Sequence, residues 1–248
     1  MSDKAHDWLT PHWPAPEWVR TCVTTRAGGV SLAPYDSFNL AAHVEDDPAA
    51  VAKNRQRLVS QLGCRPAWLQ QVHGIAVAHA HADPELVVEA DASWTATPGI
   101  AATVMTADCL PVLFCDRAGS RVAAAHAGWR GLANGVLEAT LDALAVEAED
   151  TLVWLGPAIG PQAFEVGAEV REAFVSQHVQ AAGAFMPSQN TGRFMADIYQ
   201  LARIRLAARG ITAAYGGGFC TVSDARFYSY RRAAQTGRFA SLIWLADR

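Results

Sequence analysis

Residues 100–105, 110–115 and 121–125 form three apolar, β-rich runs, and the gaps between them are too short to hold a helix. Further runs of the same kind fall at 20–24, 67–72, 76–81, 152–155, 211–215 and 241–245. Many of these strands must be joined by loops or hairpin-length gaps, without regular helical crossovers. A doubly wound sheet needs a regular strand–helix alternation, and that alternation is absent. The expected class is therefore α+β: a compact single domain of mixed β-sheets flanked by helices. There is no internal repeat, linker or shift in composition, so one domain is expected over 1–248, with residues 1–20 a peripheral N-terminal segment.

Four helices are expected. The first, over 46–63, has Asp47 as N-cap, Pro48 at the first helical position and Gly63 as its stop. The second, over 132–145, carries the stripe Leu132, Val136, Leu137, Leu141 and Leu144. The third, over 167–180, puts Val170, Phe174, Val175 and His178 on one face, and the fourth starts near Asp197 and stops at Gly210.

Composition sets outer bounds. With 248 residues, 51% hydrophobic and 18% charged, the chain can bury a sizeable core. The net charge of −4 gives no footprint for nucleic acid or an anionic membrane. No apolar run is long enough to span a bilayer, and "MSDKAHDWLTPHWP" lacks the apolar core of a signal peptide. The expected location is the cytoplasm, where Cys22, Cys64, Cys109, Cys115 and Cys220 are reduced thiols and mostly structural.

Three segments share a pattern in which an apolar run ends on a side chain able to bind metal. "WLQQVHG" delivers His73, "ATVMTADCLPVLFCD" delivers Asp108 and Cys109, and "VAAAHAGWRG" delivers His126. These separations are not those of a zinc finger; they suit ligands gathered from several strand ends. Two imidazoles and one thiolate leave a fourth position open on a tetrahedral metal. The same residues also allow a metal-free nucleophile–base pair, with Cys109 beside His126 or His73. His6, His12, His79, His81 and His178 are read as ordinary loop or packing residues.

Arginine placement is the second cue. Arg26 precedes a Gly-Gly turn, Arg130 lies in the turn opening a helix, and Arg231, Arg232 and Arg238 sit among aromatic residues in "FYSYRRAAQTGR". A guanidinium fork suits phosphate or carboxylate, and a helix start after Gly131 would add free amides. "WLGPAIGPQAFEVG" is turn-rich and could shape a pocket wall.

Taken together, "TTRAGGVS", "FNLAAHVEDDPAAVAKNRQRL", "QQVHG", "TADCLPVLFCD", "AAAHAGWRG", "GPAIGPQAFEVG" and "FYSYRR…TGR" follow one another as in the laccase-domain, or YfiH-like, family. The chain resembles that family from about Thr21 to its C-terminus. The resemblance implies zinc, with copper as the alternative, on His73, Cys109 and His126. It implies phosphorolysis of adenosine, inosine, guanosine and methylthioadenosine, and deamination of adenosine. Purine nucleosides and phosphate are then the partners, with Arg26, Arg130 or Arg231 holding phosphate, Trp129, Phe227 or Tyr230 stacking on the base, and Asp108 either the acid or a residue that orients a ligand or the loop. Alternatives that the resemblance carries are amide hydrolysis in the editing of peptidoglycan precursors and copper-dependent polyphenol oxidation. The oligomeric state stays open.

Overall fold

In the computed structural model, which describes residues 7–83 and 86–247, apolar runs become strands because both of their faces are covered. In chain order the elements are β1 (Val19–Val23), α1 (Pro48–Leu62), β2 (Arg65–Ala67), β3 (Leu69–Gln70), β4 (Val77–His79), β5 (Val88–Glu89) and β6 (Ala92–Thr95). There follow β7 (Ile100–Thr106), β8 (Leu110–Asp116), β9 (Val122–Ala127), α2 (Trp129–Asn134), α3 (Val136–Leu144) and β10 (Thr151–Leu155). The chain closes with β11 (Glu165–Gly167), α4 (Ala168–Val175), β12 (Phe185–Pro187), β13 (Arg193–Ala196), α5 (Ile198–Ala208), β14 (Ala214–Gly216) and β15 (Phe239–Leu245).

Two mixed sheets stack face to face. One is ordered β1-β15-β7-β2 and the other β14-β10-β8-β9-β6-β4. The strand period of two sorts side chains into layers. Leu113 and Cys115 of β8, Val122 and Ala124 of β9, Val104 of β7 and Ile243 of β15 fill the space between the sheets. Val112, Phe114, Ala123 and Ala125 point the other way, into a core with Leu132, Leu137 and Leu206 of the outer helices. Leu58 of α1 packs on the far face of the first sheet with Met105, Leu242 and Trp244. The observed architecture is α+β with mixed sheets and outer helices, as the hairpin-length gaps require.

Several boundaries differ from those the sequence suggests. The helix expected over 132–145 is two helices, because Gly135 adopts φ 104° and its N–H caps the carbonyl of Gly131. The helix expected over 167–180 stops at Val175, so His178 lies beyond it and leads a 3₁₀ turn over Val179–Ala184. The run at 67–72 breaks between β2 and β3, and the run at 211–215 is strand only from Ala214. Leu9 exchanges backbone hydrogen bonds with Val23, and Trp8 packs against Phe38. His6 lies outside the described residues. No helix among the described residues is long and apolar enough to cross a membrane.

Candidate metal and nucleoside site

Cys109 sits where the chain leaves one sheet, through β7, and enters the other through β8. His126 is the next-to-last residue of β9, on the face that looks between the sheets, and His73 lies in the turn between β3 and β4. Their ligand atoms all lie within 4.8 Å of one another. The Sγ of Cys109 is 3.7 Å from Nε2 of His73, and the two imidazoles meet edge to face at 4.8 Å between centroids. Among the described residues no other group of three such side chains comes together.

Backbone geometry holds the cluster in place. His73 and Asp108 have φ 62° and 88°, in the left-handed region that non-glycine residues rarely enter. A Cβ on Gly128 would stand 2.8 Å from Cδ2 of His73 and 3.0 Å from Sγ of Cys109. On Gly131 it would stand 2.8 Å from the carbonyl oxygen of Gly74. The glycines of "HAGWRG" therefore let α2 and its lead-in press against the His73 turn. Gly131 is inside α2, so the open amide row expected after it is absent.

The anchor is Asp91, a fully buried carboxylate. Its Oδ1 accepts from Nδ1–H of His126 at 2.8 Å and from the backbone N–H of His73 at 2.9 Å. Its Oδ2 accepts from the N–H groups of Gly74 at 2.6 Å and Val72 at 3.2 Å. One carboxylate thus fixes the His73 turn and the tautomer of His126, which leaves Nε2 of His126 free for a ligand. Sequence reasoning passed over Asp91. The only cue was its place at the start of a strand too short to stand out.

Charge within the cluster is coupled. Burial pushes the Cys109 thiol up, but the charge and hydrogen bonds of His126, with a hydrogen bond from His73, outweigh it and bring the thiol to about 6. Burial lowers His126, yet the Cys109 thiolate and Asp91 raise it to about 9. Burial opposes ionisation of Asp91, and the hydrogen bond and charge of His126 with the Gly74 and Val72 amides overcome it, so the carboxyl lies below its ordinary range. The set is a thiolate beside imidazoles, the donor set that zinc or copper takes.

Over the cluster opens a cavity of about 280 Å³. Ile159, Phe164, Ile198, Trp129 and Met105 make its apolar walls, and Gln71, His43, Tyr230, Arg231 and Arg238 add polar groups. The turn-rich stretch after Leu155 does supply wall, through Ile159 and Phe164. Phe227, a candidate for stacking, is instead fully buried among Tyr228 and Phe239.

The arginines divide. Arg26 pairs with Asp36 at 2.9 Å, lies over the ring of Tyr228, and is not among the lining residues. Arg130 is exposed, stacks 4.4 Å from its neighbour Trp129, and does not line the cavity. Neither is placed to hold a substrate anion there. Arg231 does line the cavity, but its guanidinium donates to the carbonyls of Ala163 at 2.9 Å and Glu165 at 3.2 Å. Asp108 is occupied as well: Oδ1 accepts from Thr221 Oγ1 at 2.6 Å and Oδ2 from the N–H of Arg231 at 2.6 Å. It stitches the Cys109 turn to the 221–231 loop, a positioning role. His43, which the sequence reading did not consider, reaches the cavity. Burial and the positive charges of Arg238, Arg55 and His126 hold its imidazole below the ordinary range.

Known proteins are similar to this chain over nearly its whole length. The family model described as multi-copper polyphenol oxidoreductase laccase matches residues 20–246. A purine nucleoside phosphorylase of Pseudomonas aeruginosa is 70% identical over 241 residues, spanning 97% of this chain and 99% of that protein. Purine nucleoside phosphorylase YfiH of Escherichia coli is 55% identical, spanning 96% and 98%. A crystal structure of a Neisseria meningitidis protein aligns with TM-score 0.94 at 50% identity, covering 97% of this chain and 100% of that one.

Proposed function

The chain belongs to the multi-copper polyphenol oxidoreductase laccase family, and on the activity for which its relatives are named we propose that it is a purine nucleoside phosphorylase. Adenosine, inosine, guanosine and methylthioadenosine are the proposed substrates, with deamination of adenosine at the same site. The observation that carries this reading is the His73–Cys109–His126 cluster at an apolar-walled cavity that also holds guanidinium groups.

In phosphorolysis a phosphate oxygen bonds to C1′ of the ribose as the C1′–N9 bond breaks. The electron pair goes to the base, which gains the proton that the phosphate loses. Apolar walls at Ile159, Phe164 and Ile198 suit the purine, and Trp129 and Tyr230 offer aromatic faces. In deamination, water adds at C6 and ammonia leaves. Zinc on His73, Cys109 and His126 would supply Lewis acidity for either reaction, and copper is the alternative occupant. The residues fit such an ion: the ligand atoms converge, and Gly128 leaves clear the space a Cβ would fill. Polyphenol oxidation with oxygen would call for several coppers, and among the described residues one such ligand group is present. Purified, zinc-loaded protein given inosine and phosphate should release hypoxanthine and ribose 1-phosphate, and Cys109→Ala should abolish it. Absence of these products, or a Cys109→Ala enzyme as active as wild type, overturns the reading.

A second reading has its own observation. Cys109, His126 and Asp91 line up as nucleophile, base and orienting carboxylate. In an amide hydrolase the thiolate would attack the carbonyl carbon, and the imidazolium would give its proton to the departing amine. Full amide hydrolysis by metal-stripped protein, lost on alkylation of Cys109, would favour it; metal that protects Cys109 and is needed for turnover would favour the phosphorylase.

A further inference from the structure

The cavity above the metal cluster is adjoined by a second cavity of about 420 Å³, lined by His43, Val44, Glu45, Gln235, Thr236 and neighbouring residues. His43 and Arg238 line both cavities and form the partition between them. Arg238 is half-buried, and its NH1 donates to the carbonyls of Thr236 at 2.8 Å and Gly237 at 3.0 Å. No carboxylate forms an ion pair with it among the described residues, in contrast to Arg26, Arg205, Arg209 and Arg226. A guanidinium withdrawn from water and lacking an acidic partner gains most from an anion that can take its remaining N–H groups.

Neighbouring charges are of both signs: those of Cys109 and Asp108 are felt at Arg238 from the side of the ligand cluster, and cationic charge lies on the other side. Arg55, whose charge is felt at His43, donates to the carbonyl of Leu40 and stacks 4.1 Å from Trp68, with no carboxylate ion pair among the described residues. Of the two carboxylates that line these cavities, Asp108 has both oxygens engaged and Glu45 is exposed. Arg231, the other arginine of the cavity, also gives two N–H groups to backbone carbonyls, but it is exposed, so water already solvates its charge.

We propose that the inorganic phosphate of the phosphorolysis reaction binds at the Arg238–His43 partition, entering from the second cavity while the nucleoside occupies the first. This rests on the phosphorylase reading. Arg238 supplies the charge and the donor fork, and the His43 ring offers a hydrogen-bond partner to the phosphate. Because the second cavity has lining residues of its own, phosphate binds there without nucleoside in place.

The test pairs kinetics with direct binding on the zinc-loaded enzyme. Replacing Arg238 by Gln removes a charge-assisted contact, so the phosphate KM should rise about 10- to 100-fold while the nucleoside KM moves less than about threefold. Arg238→Lys should fall between Gln and wild type, and His43→Asn should also raise the phosphate KM. Arg26→Gln, whose residue lies off both cavities, should leave it unchanged. Titration calorimetry with inorganic phosphate alone should show binding to wild type and Arg26→Gln, and none to Arg238→Gln. A phosphate KM unchanged in Arg238→Gln, or equal phosphate binding by Arg238→Gln and wild type, overturns the subsite and leaves the phosphorylase reading standing. If wild type yields no ribose 1-phosphate, the phosphorylase reading falls. Calorimetry then still decides the subsite: loss of phosphate binding in Arg238→Gln supports it, and no loss overturns it.

Discussion

Replacement of Asp91 by Asn tests how the two halves of the site are joined. The carboxylate accepts four hydrogen bonds, two on each oxygen, from Val72, His73, Gly74 and His126. An amide of the same shape has one oxygen. Its nitrogen must face either the amide of His73 together with His126, or the amides of Val72 and Gly74. Either way two donors that converge on the buried Asp91 side chain meet a third donor. At about 1–3 kcal/mol for each buried group left unmade, a loss of about 3 kcal/mol in folding stability is expected. For a domain of this size that is a fall in Tm of about 6–12 °C. The second consequence concerns metal. If the amide nitrogen turns to His126, the imidazole must present its Nδ1 lone pair and protonate Nε2, which removes Nε2 as a ligand atom. Loss of such a supporting partner weakens metal binding by about 10- to 100-fold. Thermal unfolding with and without zinc, and competition against a chromophoric chelator, measure both. A variant with wild-type Tm and wild-type zinc affinity would refute the assignment of Asp91 as the anchor.

Three further outcomes follow from packing and burial. Gly128→Ala inserts a methyl group 2.8 Å from the His73 ring and 3.0 Å from Sγ of Cys109, so zinc affinity should fall by about tenfold or more in the chelator assay, with less effect on urea unfolding. Phe114→Ala empties a fully buried position between the larger sheet and the outer helices and should cost about 3–5 kcal/mol in urea unfolding. Burial, aided by the Cys64 thiol beside Cys22 and by Asp116 beside Cys115, pushes the thiols of Cys22, Cys64 and Cys115 up to about 12 from 9.0. The folded state therefore holds the protonated thiol. This contribution is complete at neutral pH and is withdrawn as pH rises past about 9, where the unfolded thiols ionise. At pH 10 the loss is about 1.4 kcal/mol per thiol by linkage, and replacing all three by Ala should flatten the alkaline limb of a Tm–pH profile.

Local physics reached the sequence reader wherever it left a local trace. The cap at Asp47, whose side chain accepts from the Ala49 amide, and the left-handed stop at Gly63 lie where composition puts them. The long apolar strands stand out because each is covered on both faces, as in the unbroken burial of β8 and β15. The three side chains of the ligand group were legible as well, since each ends an apolar run. Short strands such as β6, β11, β12 and β13 were not, because they carry too few residues to show a period.

What sequence alone determined, then, is the inventory: strands with two buried faces, capped helices, and a His, Cys and His set at strand ends. Only the tertiary structure decided which residues meet. Asp91 lies 35 residues from His126 and 17 from Gly74, yet a strand register brings it to both. Arg26 and Arg130 look as capable of holding phosphate as Arg238, until the fold gives Asp36 to the first and places the second in solvent. The physical reason is range. Backbone preference and side-chain periodicity act over a few residues and are written locally. Charge neutralisation and hydrogen-bond satisfaction act through space, between partners that no sequence spacing announces.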